Sequence, residues 1–161
     1  MRNFRISAFG AVLLVLWGLA HASAQQEVDA ILQRREPPAG VVFEILEKDA
    51  DALDWAMPEV NRYTEKLRQR FPGLDVAVVA HGNEMFALQS TRRDRNRAVH
   101  QAVQRLTKQE GVPVYVCETL AADKGIVAEA FPDYVNVAPA GSAQINDYVT
   151  LGYILIKISR H

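Results

Sequence analysis

Cys117, the single cysteine among 161 residues, and His81 are the side chains whose types and places best suit chemistry. A thiol attacks as its thiolate, and an imidazole can take the thiol proton or hold the thiolate as an ion pair. Cys117 closes the apolar run Val112-Pro113-Val114-Tyr115-Val116 and precedes a helix start at Glu118-Thr119-Leu120. At such a place a thiol meets unpaired backbone N–H groups and the positive end of a helix dipole, both of which favour the thiolate. The adjoining carboxylate of Glu118 works against a second negative charge. One cysteine has no intrachain disulfide partner, so Cys117 is either a small buried apolar residue or a working thiol.

His81 follows Val78-Val79-Ala80, and Gly82 behind it permits a tight turn. Its ring reaches Cys117 if the two strands they end are neighbours; the alternative is a histidine bonded to backbone at a strand end. Arg92, Arg93, Arg95 and Arg97 cluster around Asp94. Arginines before a helix suit an anionic substrate or an acidic partner surface, or else they form a solvated helix start. Glu84, Glu118 and Thr119, close to His81 and Cys117 in sequence, complete the candidate binding set.

Other chemistry is excluded by pattern. The loop Lys48-Asp49-Ala50-Asp51 is acidic and lacks glycine, so it cannot cradle a flavin or nucleotide phosphate. No His or Cys spacing matches a zinc site, and neither a Cys-x-x-Cys pair nor a Gly-x-Ser-x-Gly elbow occurs. No cofactor and no metal is expected. Ser142 reads as a helix N-cap.

The first residues read as an export signal. Arg2 and Arg5 form a positive start, Ile6 to Ala20 is almost wholly apolar, and Ala22-Ser23-Ala24 supplies small residues for cleavage. The apolar run is shorter than the roughly 20 residues that span a bilayer. Cleavage after Ala24 would leave residues 25–161, a chain of one-domain size with a slight acidic excess. Nucleic acid is then an unlooked-for partner, and a soluble periplasmic or secreted protein is expected.

These residues must be positioned by regular elements. Gln25 to Gly40 is a polar lead-in arm with a weak apolar patch (Val28, Ile31, Leu32), ending at Pro37-Pro38. Strands are expected at Val41–Leu46, Leu74–Ala80, Val112–Cys117, Val135–Ala138 and Tyr153–Ile158. Helices are expected at about Ala52–Arg70, kinked or split at Pro58, at Asp94–Gln109 with a stripe of Ala98, Val99, Ala102, Val103 and Leu106, and at Gly141–Leu151. Shorter helical stretches cover Leu120–Lys124 and Ile126–Phe131, and a loop or turn runs from His81 through Ser90. Alternating strands and helices give a three-layer α/β domain over residues 41–161, with a mainly parallel five-stranded sheet. Ligands of such sheets gather at the carboxyl ends of strands, where His81 and Cys117 both stand.

Val76-Ala77-Val78-Val79-Ala80-His81-Gly82-Asn83-Glu84, a helix, and then Gly111-Val112-Pro113-Val114-Tyr115-Val116-Cys117 together resemble the DsrE/DsrF-like sulfur-relay family, above all its exported members. Lys124-Gly125-Ile126, Phe131-Pro132, Val135 to Pro139 and Gly152-Tyr153 extend the likeness over roughly Val41 to Ile158. The resemblance implies a flavodoxin-like subunit, a homo-oligomer (trimer or hexamer), and a cysteine after the third strand that carries sulfane sulfur as a persulfide in the sulfur-handling members. That role falls on Cys117 alone. A histidine like His81 belongs to the look of exported members without a role attached. Glu118 departs from the small or amide residue that often follows the family cysteine. The expected function is that of a sulfur carrier or sulfurtransferase, with a sulfur donor or acceptor protein or a small sulfur anion as partner. The competing expectation is a non-catalytic oligomeric binding or assembly module in which Cys117 is packed inside.

Overall fold

A computed structural model describes residues 23–160. The expected signal segment therefore lies largely outside the described residues. Five parallel strands, β1 (Gly40–Ile45), β2 (Val76–Ala80), β3 (Val114–Cys117), β4 (Asn136–Ala138) and β5 (Tyr153–Ile158), form one sheet in the order β4-β3-β2-β1-β5. The helices are α1 (Ala24–Leu32), α2 (Leu53–Arg70), α3 (Arg97–Lys108), α4 (Glu118–Asp123) and α5 (Gly141–Thr150). This is the three-layer α/β arrangement expected from the alternation of apolar runs and amphipathic stretches.

The strand order dictates which face each helix takes. From β1 to β4 every connection steps in one direction, so right-handed crossovers put α2, α3 and α4 on one face. The step from β4 back past β1 to β5 reverses direction, and the same handedness throws α5 onto the other face. Two apolar layers result. The larger holds Phe43, Val78 and Val116 of the sheet with Leu53, Met57 and Val60 of α2 and Val103 and Leu106 of α3. The smaller holds Val42, Ala77 and Val79 under Ile145 of α5, with Tyr115, Tyr148 and Tyr153 beside them. β2 lies at the centre and is buried along its whole length, which explains its unbroken apolar run.

Several local expectations change. The lead-in arm begins with a helix, α1, opened by a capping box between Ser23 and Gln26, and Val28 and Ile31 are buried in the larger apolar layer. The arm thus packs on its own domain, and the expected cleavage point falls at the first residue of this helix. Pro58 neither splits nor interrupts α2, which runs unbroken through it. The stretch expected as loop contains 3₁₀ segments at Asn83–Leu88 and Ser90–Arg92. Turns at Asp94–Asn96 delay α3 to Arg97, and its buried stripe is Val99, His100, Val103 and Leu106, with Ala98 exposed. Ser142 lies inside α5; Ala140 takes the N-cap place and no side chain caps it. No helix among the described residues is long and apolar enough to cross a membrane.

Candidate functional site

Cys117 stands at the point where the sheet's exits diverge. β3 leaves toward α4 on one face, and its neighbour β4 leaves toward α5 on the other. A crevice opens at such a switch point in parallel sheets. Thr119 bridges its two lips: its backbone N–H and its hydroxyl both donate to Pro139 O, at 3.2 and 2.7 Å. Thr119 therefore holds the crevice together. Cys117 is paired with Ala138 across it and is 8% exposed. Its backbone N–H donates to the sulfur of buried Met85 at 3.4 Å. Cys117 is also the N-cap of α4, which has only six residues and offers a short dipole.

His81 lies one strand away. Ala80 pairs with Val116, so the next step along β2 and β3 brings His81 level with Cys117. Adjacent strands lie about 5 Å apart. Alternation along β2 turns Ala80 into the larger apolar layer and His81 toward α5. There the histidine packs against Gly141 so closely that a Cβ on Gly141 would sit 2.4 Å from His81 Cβ. The first residue of α5 has to be glycine for this histidine to fit.

The His81 ring is fixed from the opposite side. Its Nε2–H donates to Glu44 Oε1 at 2.9 Å, and both side chains are 13% exposed. Glu44 Oε2 meets Lys157 Nζ at 3.5 Å. The hydrogen bond from His81 holds the Glu44 carboxyl below its usual range, against the opposing effect of burial, with Lys157 assisting. Glu44 is thus a carboxylate, an acceptor only, and Nε2 must carry the proton. Nδ1 has no hydrogen-bond partner among the described residues. A thiol, an imidazole and a carboxylate accordingly stand at the carboxyl ends of three neighbouring strands, the imidazole against α5 and the thiol grouped with the larger apolar layer. Glu44 and Lys157 were missed in the sequence. The signal was there: each is the one charged residue in an otherwise apolar strand, GVVFEI and YILIKI.

The remaining candidates divide. Glu84 is fully buried and accepts the backbone N–H groups of Gly82 and Glu47, at 2.9 and 2.8 Å, tying the turn after β2 to the loop after β1. Burial pushes its carboxyl up, and those N–H bonds pull it partly back. It supports the turn that carries His81. Glu118 is exposed and lines a cavity of about 430 Å³ with Ala122 and Gly125–Glu129. Arg92, Arg93 and Arg95 are exposed on the approach to α3, the face away from α5, with Arg93 over the Tyr134 ring at 5.7 Å. Arg97 meets Asp94 at 3.7 Å in solvent. The fold does not bring these arginines to the His81 side of the sheet. Among the described residues no group of acidic, histidine and cysteine side chains could hold a metal ion.

Known proteins share this architecture. MTH1491 of Methanobacterium thermoautotrophicum, a protein of unknown function, is 25% identical, superposes with a TM-score of 0.59, and covers 73% of this chain and 96% of its own. The ychN protein of E. coli is 17% identical with a TM-score of 0.54, covering 73% of this chain and 98% of its own, a likeness of fold. No curated protein matches the chain. The DsrE/DsrF-like family model matches residues 49–158, from the loop before α2 to the last residue of β5. With more than half of its length inside that match, and the sheet built as in those neighbours, the chain belongs to the DsrE/DsrF-like family.

Proposed function

We propose that this protein is an exported sulfur carrier, or sulfurtransferase-like protein, that holds sulfane sulfur as a persulfide on Cys117. The observation that carries the reading is the pairing of Ala80 with Val116, which sets His81 and Cys117 one step further along neighbouring strands, beside the crevice between β3 and β4. Membership of a family commonly engaged in sulfur relay supports it. His81 takes the thiol proton, and the Cys117 thiolate attacks the outer sulfur of a sulfane donor. The donor's S–S bond breaks and its electron pair leaves with the remaining fragment, a thiolate or, from a thiosulfate-like anion, sulfite. Cys117 keeps the sulfur as a persulfide. Delivery is the same exchange run onto an acceptor thiolate, so no outside oxidant or reductant is consumed.

Export is part of the proposal, resting on the arginine-led apolar start and Ala22-Ser23-Ala24. Assembly as a trimer or hexamer and a sulfur-donating or sulfur-accepting partner belong to the same reading. The test is cyanide-labile sulfur after exposure to thiosulfate or glutathione persulfide. Wild type should release about one thiocyanate per chain and Cys117→Ser none, with both folded. Equal release from the serine variant would overturn the reading.

One observation favours a second reading, a non-catalytic binding or assembly module. Cys117 is buried among apolar neighbours and Met85 covers its backbone. On that reading the thiol is alkylated only after denaturation.

A further inference from the structure

The three polar side chains His81, Glu44 and Lys157, at the carboxyl ends of β2, β1 and β5, have no task in simple packing. Glu44 stands on an interior strand, with β2 on one side and β5 on the other. An ionised carboxylate there carries a desolvation cost that an apolar residue would avoid. It is retained where it meets the Nε2–H of His81 at 2.9 Å and Lys157 at 3.5 Å. Glu44 also lies on β1, outside the span 49–158 matched by the family model.

We propose that Glu44 is a positioning residue for His81, fixing the ring with Nε2 protonated and Nδ1 open, and stabilising the imidazolium that forms when the Cys117 thiol loses its proton. The proposal rests on the reading of Cys117 as a working thiol. Three geometric facts carry it. The carboxylate can only accept, so the ring's tautomer is set by the bond itself. The ring is held between Glu44 and Gly141, with no room for a side chain on the α5 flank. Ala80 and Val116, the residues just before His81 and Cys117, are paired on neighbouring strands. Lys157 Nζ, on a largely exposed side chain, lies 3.5 Å from the second carboxylate oxygen. No atoms are exchanged at Glu44. The proton passes from the thiol to the imidazole, and the carboxylate stays ionised throughout.

The charges that face His81 are few and come from each packed element. β1 brings Glu44, β5 brings Lys157 through Glu44, and β3 brings Cys117. The turn after β2 adds buried Glu84, whose carboxylate also attracts the ring's positive charge. α5 brings only the uncapped backbone N–H groups that begin at Gly141, which disfavour a cation. Glu44 is the one carboxylate among these in direct contact with the ring.

The experiment is alkylation of Cys117 by iodoacetamide in the folded full chain, followed by intact mass between about pH 5 and 9. Glu44→Gln keeps an acceptor oxygen and removes the charge. It should slow alkylation on the order of tenfold near pH 6 and move the pH profile to higher pH. In a His81→Gln background the same substitution should change nothing further, because its effect passes through the ring. A wild-type profile in Glu44→Gln, or an equal slowing in both backgrounds, overturns the proposal. Should Glu44→Gln not fold, Glu44→Asp keeps the charge on a shorter arm and should show a smaller displacement in the same direction; an unchanged profile again overturns it. Alkylation needs no sulfur donor. Failure of sulfur loading with an intact Glu44 effect would therefore overturn the sulfur-carrier reading alone.

Discussion

Gly141→Ala should injure the site and the fold together, because the added methyl has nowhere to go. Its Cβ would lie 2.4 Å from His81 Cβ and 2.8 Å from Cγ, atoms fixed by a central strand rather than a flexible tip. Alanine at the start of a helix contributes at most about 1 kcal/mol over glycine. A rigid overlap of this kind costs about 1–3 kcal/mol, since strand and helix must separate or the ring must swing. The overlap wins. A net loss of about 1–2 kcal/mol lowers the melting temperature by about 3–6 °C in a domain of this size. The ring that must move is the one bonded to Glu44, so alkylation of Cys117 should slow as well. Removing the obstacle gives the decisive comparison. In a His81→Gly background, Gly141→Ala should be neutral or stabilising, a coupling of about 2 kcal/mol in the double-mutant cycle. Equal destabilisation in both backgrounds, measured by urea denaturation, would refute the packing of His81 on α5.

Glu84→Ala strips one buried and one half-buried backbone N–H of their acceptor and should cost about 1–3 kcal/mol in urea denaturation; a loss below about 0.5 kcal/mol would contradict its role as a tie between the turns. His100 is buried, its Nε2–H donating to Ala87 O at 3.0 Å and its Nδ1 accepting from the Tyr134 hydroxyl at 2.6 Å, and burial holds its pKa below the ordinary value. The unfolded chain then binds the extra proton first, so this contribution is complete at pH values above about 6.5 and is lost as pH falls from there toward the lowered folded value. His100→Gln should flatten that fall when midpoints are compared from about pH 7.5 to 5.5, and an unaltered slope would refute the assignment.

The strands were readable because a central parallel strand is apolar on both faces, and Val76–Ala80 is nothing else. Cys117 ends β3 and His81 directly follows β2. What decides whether the two meet is the pairing of Ala80 with Val116, a non-local fact that no local pattern contains. The side of the sheet that the arginines take was hidden for the same reason. Their face of the sheet follows from the direction of each crossover, and only the reversal at β5 separates α5 from α3. The arm hid its helix because Val28 and Ile31 are a weak stripe until α2 and β5 supply the surface they bury against. Glu44 could have been found. A carboxylate inside Val41-Val42-Phe43-Glu44-Ile45 contradicts the burial of its strand, and such contradictions mark sites. His100 was left out of the apolar stripe of α3, while its place beside Val99 and Val103 buries it.

The central claim concerns one sulfur atom. Intact mass of the folded protein after brief exposure to glutathione persulfide, beside untreated protein and Cys117→Ser, tests it directly. A reductant-sensitive gain of one sulfur on the wild type alone, with the untreated thiol alkylated rapidly under native conditions, is the predicted result. No gain, with alkylation only after unfolding, would make Cys117 a packed core residue and contradict the account.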